Sequence, residues 1–114
     1  MDNIKDDFYF LNKILDDLKF VIDNTKDKNK DEIQGNQILV DCILFRIIQV
    51  SENSSHLTEE FKEKYKKIPW RAIKGMRNTI VHDYGVVDYS IIYETVSNSI
   101  PYMYNNLVEI KEVL

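Results

Sequence analysis

A chain of 114 residues with 44% apolar and 30% charged residues has the size and make-up of one soluble domain, 1–114, with a single buried core. Three Gly and two Pro leave little material for the tight turns of a β-fold, and Cys42, the sole cysteine, excludes an internal disulfide. The net charge of −4 by itself argues against a nucleic-acid binder, and no run of about 18 apolar residues exists to span a membrane.

Met1 to Asp7 is charged and has no apolar signal core, so a cytoplasmic location is expected. Ile4, Phe8, Leu11, Leu15, Leu18 and Ile22 recur at three- and four-residue steps and predict an amphipathic helix of about two dozen residues. Asp16 and Asp17 fall to its polar face. Asn24 to Asp31 is charged or polar and reads as a loop. A second helix is predicted from near Ile33, with Ile38, Leu39, Cys42, Ile43, Phe45, Ile47, Ile48 and Val50 so dense that burial on more than one side is implied. That suits a central helix, or one that also serves a subunit interface. Cys42 reads as a small core residue and not as a nucleophile.

Ser51 to Ser55 ends this helix, and His56 reads as a solvated loop residue. Thr58 is positioned to cap a short helix whose first turn holds Glu59 and Glu60, where carboxylates favour the helix dipole. Pro69-Trp70 predicts the start of a further helix, running to about Asp83 and broken at Gly85. Asp88 is a credible N-cap for the last long helix, Tyr89 to about Val113, which Pro101 is expected to kink or divide, with Ser99 capping the second half. The expected fold is all-α, an up-down bundle of four to five helices. That architecture alone decides nothing about function.

Charge is unevenly spread. From Lys62 to Arg77 there are seven basic residues and one acid, Glu63, while the rest of the chain holds eight bases and eighteen acids. Lys66, Lys67, Arg71 and Lys74 are therefore candidate RNA contacts, since a local positive patch attracts phosphate even on an acidic body. The competing reading is a solvated helical face.

The stretch Arg77-Asn78-Thr79-Ile80-Val81-His82-Asp83-Tyr84 carries the chemistry. On a continuous helix Asn78 and His82 stack at i, i+4, Arg77 and Tyr84 share a face, and Arg77 and His82 lie about 140° apart. One helix would not bring that Arg and His together; two copies crossing at a two-fold axis would. His titrates near neutral pH and can take and return the proton of a ribose 2′-hydroxyl. Arg offers a planar fork of donors to a phosphoryl group and to the charge that builds on it. RNA, and not DNA, has the hydroxyl this route needs, and the route requires no metal. With two His and one Cys no zinc constellation is recognisable, and without a Gly-rich phosphate loop the chain is not expected to bind ATP or another cofactor alone.

Arg77-Asn78-Thr79-Ile80-Val81-His82-Asp83-Tyr84 resembles the Arg-x4-His-x-Tyr motif of HepT-like proteins of the HEPN superfamily. Ile68-Pro69-Trp70 and Gly75-Met76-Arg77-Asn78 are similar to the segment leading into that motif, and Asp41 to Glu52 to the family's central helix. The resemblance covers about Phe8 to Leu114. It implies a helical bundle that forms a homodimer with its motifs facing across a cleft, and a metal-independent endoribonuclease acting as a toxin. It assigns Arg77, Asn78 and His82 to catalysis. It further implies a cognate minimal nucleotidyltransferase antitoxin that transfers AMP from ATP to the motif tyrosine, here Tyr84. Two rival readings stay open: a non-catalytic helical module that docks a nucleotidyltransferase or nucleotide, and a dimeric scaffold in which Arg77 and His82 form a polar seam.

Overall fold

A computed structural model describes residues 6–114, apart from the side chain of Tyr84. The expected contribution of Ile4 to the first helix lies outside the described residues. Helix α1, Asp7–Thr25, begins where the Asp6 carboxylate accepts the backbone N–H of Tyr9 at 3.0 Å. It buries Leu11, Ile14, Leu15, Leu18 and Val21, the i, i+3, i+4 stripe its sequence encodes. Part of the expected loop is helical: Asn29 and Glu32 form a reciprocal capping box that starts the short helix α2, Lys30–Gln34. Helix α3, Gln37–Ser55, is capped by Asn36 and buries Leu39, Val40, Ile43, Ile47 and Val50. Of its other apolar residues, Ile38, Phe45 and Ile48 are exposed, and Leu44 and Cys42 are half-buried.

Helix α4, Glu59–Lys64, starts at the expected cap Thr58, whose own N–H and hydroxyl both donate to Asp7. Helix α5, Trp70–Ile80, follows Pro69. It stops three residues earlier than the sequence suggests. Val81–His82 is a short strand β1, paired antiparallel with β2, Val86–Val87, in the register Val81 opposite Val87 and His82 opposite Val86. The 3-10 turn Asp83–Gly85 joins them, and Gly85 has φ of +88°, a conformation a side chain would strain.

Helix α6, Tyr89–Glu94, is capped by Asp88 as expected. A π turn, Thr95–Ser99, carries it without a break into α7, Ile100–Glu112, with Pro101 in the first turn of α7. Ser99 sits in helical backbone and makes no cap, so the division at Pro101 is a wide turn in place of a capped restart. Helix α1 packs on both α3 and α7, α5 packs on α3 and on α6, and α2 bridges α3 and α6. The result is an all-α bundle whose core runs between these helices. Six helical stretches occur among the described residues, because α2 and α4 add short pieces to the four long ones. No described helix is long and apolar enough to cross a membrane.

Asp17 corrects the polar-face reading of α1. It is 6% exposed and receives Arg46 Nη1 of α3 at 2.8 Å. The guanidinium also lies 4.0 Å from the centre of the Phe20 ring. Burying one carboxylate between helices is tolerable here because a charge-assisted hydrogen bond and a ring face meet the guanidinium that neutralises it.

Candidate active site

Helix α5 is held from outside at its start. Pro69 provides no side-chain cap, but the indole Nε1 of Trp70 donates to the carbonyls of Lys62 and Tyr65, both at 3.2 Å. Ser51 of α3 donates to the carbonyl of Lys74 at 3.2 Å. One side of α5 buries Ile73, Met76 and Ile80; Arg71, Lys74, Arg77 and Asn78 are exposed. Helical spacing places Lys74 one turn from Arg71 and from Arg77 and Asn78, so these four form one polar, strongly basic strip. Lys62, Lys66, Trp70, Arg71 and Lys74, with Glu59 and Glu63, line a hollow of about 380 Å³. Glu59 faces Lys62 at 3.5 Å and Glu63 faces Lys66 at 3.6 Å, which partly offsets those two charges. Among the described residues no carboxylate pairs with Lys67, Arg71, Lys74 or Arg77. Lys67 is exposed but does not line the hollow.

Arg77 occupies the last turn of α5, where its positive charge suits the exposed carbonyl end of the helix. Its Nη1 donates to Asn78 Oδ1 at 3.2 Å. Because α5 ends at Ile80, the wheel geometry expected of a continuous helix does not hold. Asn78 and His82 do not stack, and Tyr84 belongs to the 3-10 turn. His82 projects from β1, with its side chain 51% exposed. The hairpin is closed by the Asp88 N–H, which donates to the carbonyl of Ile80 at 2.9 Å. This bond fixes where β1 begins and where α6 starts.

His82 Nε2 lies 3.4 Å from Asp88 Oδ2. The other oxygen, Oδ1, accepts the N–H groups of Ser90 at 3.0 Å and Ile91 at 3.1 Å. The Asp88 carboxyl is held below the ordinary aspartate range, most by the Ile91 N–H, then against a smaller opposing effect of burial by the Ser90 N–H and by His82. Lys30 and Gln34 of α2, with Val86, Val87, Tyr89 and Ser90, complete a hollow of about 350 Å³ around this pair. The structure therefore joins Arg77 to Asn78 and His82 to Asp88, on two neighbouring elements.

A larger, mostly apolar hollow of about 510 Å³ lies between α5 and α7, lined among others by Ala72, Met76, Thr95 and Met103. It holds none of the candidate residues. No three His, Cys, Asp or Glu side chains converge among the described residues. His56 lies exposed in the turn after α3, in keeping with its reading as a solvated loop residue, and stacks on Phe10, with ring centres 5.0 Å apart. Sequence reasoning found Asp88 as a cap and missed it as a partner of His82. A capping Asp always has a second oxygen, and that is the signal that was available.

The chain is similar to known proteins over most of its length. The family described as "Ribonuclease HepT-like" matches residues 14–110. "Putative RNase TTE0752" of Caldanaerobacter subterraneus is 32% identical over 101 residues, covering 89% of this chain and 90% of that protein. "Gamma-glutamylcyclotransferase and putative RNase MJ0434" of Methanocaldococcus jannaschii is 34% identical over 110 residues, and there this chain spans only 50% of the relative's length. "Probable ribonuclease HepT" of Thermococcus cleftensis is 35% identical over 52 residues, 46% of this chain and 47% of that protein. No solved structure matches. With a family match across 97 residues, from 14 to 110, this chain belongs to the ribonuclease HepT-like family.

Proposed function

We propose that the chain is a metal-independent endoribonuclease that works as a homodimer and serves as the toxin of a toxin–antitoxin pair. The observation that carries this reading is the basic strip of α5, which has no carboxylate pairing with Arg71, Lys74 or Arg77 among the described residues and whose helix ends two residues before an exposed histidine. Lys66, Arg71 and Lys74, with the neighbouring Lys67, draw in the RNA backbone. Arg77 holds the scissile phosphate, and Asn78 fixes the guanidinium. His82 takes the 2′-hydroxyl proton as the 2′-oxygen bonds to phosphorus. The bond from phosphorus to the 5′-oxygen breaks, and His82 returns the proton to that oxygen. The products are a 2′,3′-cyclic phosphate and a 5′-hydroxyl. His82→Ala and Arg77→Ala are each expected to lower cleavage of an RNA oligonucleotide about 100-fold or more with the fold intact. Activity is expected to persist in excess chelator. Loss in EDTA with recovery in magnesium would overturn the metal-free route, and full activity of His82→Ala would overturn the role of His82.

The exposed Ile38, Phe45 and Ile48 of α3 support a second copy, as does the separation of the two polar pairs onto different elements. Mixing Arg77→Ala with His82→Ala chains is expected to recover activity if each site draws on both copies. A minimal nucleotidyltransferase is the proposed antitoxin. The phenol oxygen of Tyr84 attacks the α-phosphorus of ATP, pyrophosphate leaves, and the phenolic proton is released. The turn Asp83–Gly85, whose flanking Asp83 and Gly85 are exposed, supports access by such a partner. An added phosphodiester would bring a negative charge that competes with RNA phosphate for the basic residues. Intact-mass measurement is expected to show whole AMP increments that Tyr84→Phe lacks.

A further inference from the structure

Asp88 is placed by two unrelated requirements. Its backbone N–H closes the hairpin onto Ile80, and its Oδ1 satisfies two of the open N–H groups at the start of α6. Both fix the carboxylate before His82 is considered. Its second oxygen is then left facing Nε2 at 3.4 Å, while the pairing of His82 with Val86 fixes the backbone that carries the imidazole. A cap needs only one oxygen, and Asn or Ser would supply it equally well. The side chain that stands here offers a second, charged acceptor aimed at the candidate base.

We propose that Asp88 is a positioning residue for His82, with one carboxylate oxygen anchoring α6 and the other setting the orientation and tautomer of the imidazole. This rests on His82 being the general base. A carboxylate can only accept, so a neutral imidazole that meets it through Nε2 carries its proton there. The lone pair is then on Nδ1, which turns away from Asp88 and toward the RNA. After proton uptake both nitrogens donate, and the carboxylate faces the imidazolium with opposite charge. The 3.4 Å separation is longer than a relaxed N–H···O bond, as catalytic hydrogen bonds often are before substrate binds. Lys30 and Tyr89 are the other titratable residues that line this hollow, and among the described residues neither pairs with His82.

Asp88→Asn and Asp88→Ser separate the two duties, because both retain the cap. Thermal stability close to the parent chain is the control for that. The expected result on an RNA oligonucleotide is a fall in kcat of at least about tenfold for both, with KM within about twofold. Unchanged kcat in Asp88→Asn would overturn the proposal and leave Asp88 as a cap alone. A change confined to KM would overturn it too, by placing Asp88 in RNA binding. A second arm does not depend on turnover: ¹⁵N spectra of the His82 ring in the parent chain are expected to show the proton on Nε2, and the Nδ1 and Nε2 signals to move in Asp88→Ser. Identical spectra would overturn the contact itself. An inactive parent chain, or a fully active His82→Ala, would instead overturn the RNase reading, and the spectra would still decide whether Asp88 sets the ring.

Discussion

The α1–α3–α7 side of the molecule and the stretch from α5 through the hairpin to α6 are built by different means. On the first side, α1 and α3 are 19 residues each and α7 is 13. Asp6 and Asn36 cap α1 and α3 with their side chains, and Leu11, Ile14, Val40, Ile43 and Leu107 are wholly buried. In the second region α5 has 11 residues and no side-chain cap, and two-residue strands follow it. It is held by hydrogen bonds from Trp70, Ser51 and Asp88 to backbone carbonyls. Most of the buried apolar side chains thus lie in one region, although Ile73, Ile80 and Ile92 are buried in the other, which carries the candidate chemistry. Residues such as Arg77 and His82, which support almost no core, are free to be chosen for reactivity.

That contrast can be broken from the core side first. Leu107→Ala removes a wholly buried side chain from α7 where it docks on α1, and about 3 kcal/mol of stability is expected to go, read from urea unfolding. RNA cleavage below the new transition is expected to survive; its loss would mean the two regions are coupled. Arg46→Ala is expected to cost about 2 kcal/mol. It leaves the buried Asp17 carboxylate without its partner, though the part of Arg46 that reaches solvent softens the effect. Asp17→Asn in the same background is expected to recover part of the loss, and absence of any recovery would show that Arg46 acts by packing on Phe20 alone.

The smallest effect sharpens the contrast at the site. Asp88 titrates below the ordinary aspartate range in the folded chain, chiefly because the Ile91 N–H bonds its charged form. Its contribution to stability is therefore complete above the unfolded value of about 4 and is lost as pH falls through the folded value. On acidification from about pH 5 the parent chain is expected to lose more stability than Asp88→Asn, which has no carboxylate to protonate. Urea midpoints that fall in parallel would remove that assignment.

Much of the fold was legible. The apolar stripes of α1 and α3, the caps Thr58 and Asp88, and the opening of α5 at Pro69 are local patterns and appear where local patterns put them. What escaped were features decided at a distance. Val81 and His82 keep a helical spacing, but the pairing of β1 with β2 and the bond from Asp88 to Ile80 draw them out of the helix. Asp17 looked solvated because its partner Arg46 is 29 residues away. Arg77, Asn78 and His82 were expected as site residues from chemistry and resemblance together, and the sequence did not show which neighbours the fold gives them. The contact of His82 with Asp88 depends on a turn whose shape Gly85 permits with its positive φ.

The π turn before α7 bears on how the molecule breathes. Ile92, Val96 and Ile100 are spaced by four, and each such step on an ordinary helix advances about 40° away from the buried face. The wide turn Thr95–Ser99, where the Ile100 N–H reaches back to the carbonyl of Thr95, cancels that drift and keeps all three inside. It does so beside Pro101, which has no N–H to give. The long helix therefore has a weak rung at its middle. Under hydrogen exchange its two halves are expected to separate into different opening units, with the amides of α7 protected alongside α1 and those of α6 released together with the hairpin. Such an opening would let His82 reorient without disturbing the helices α1, α3 and α7.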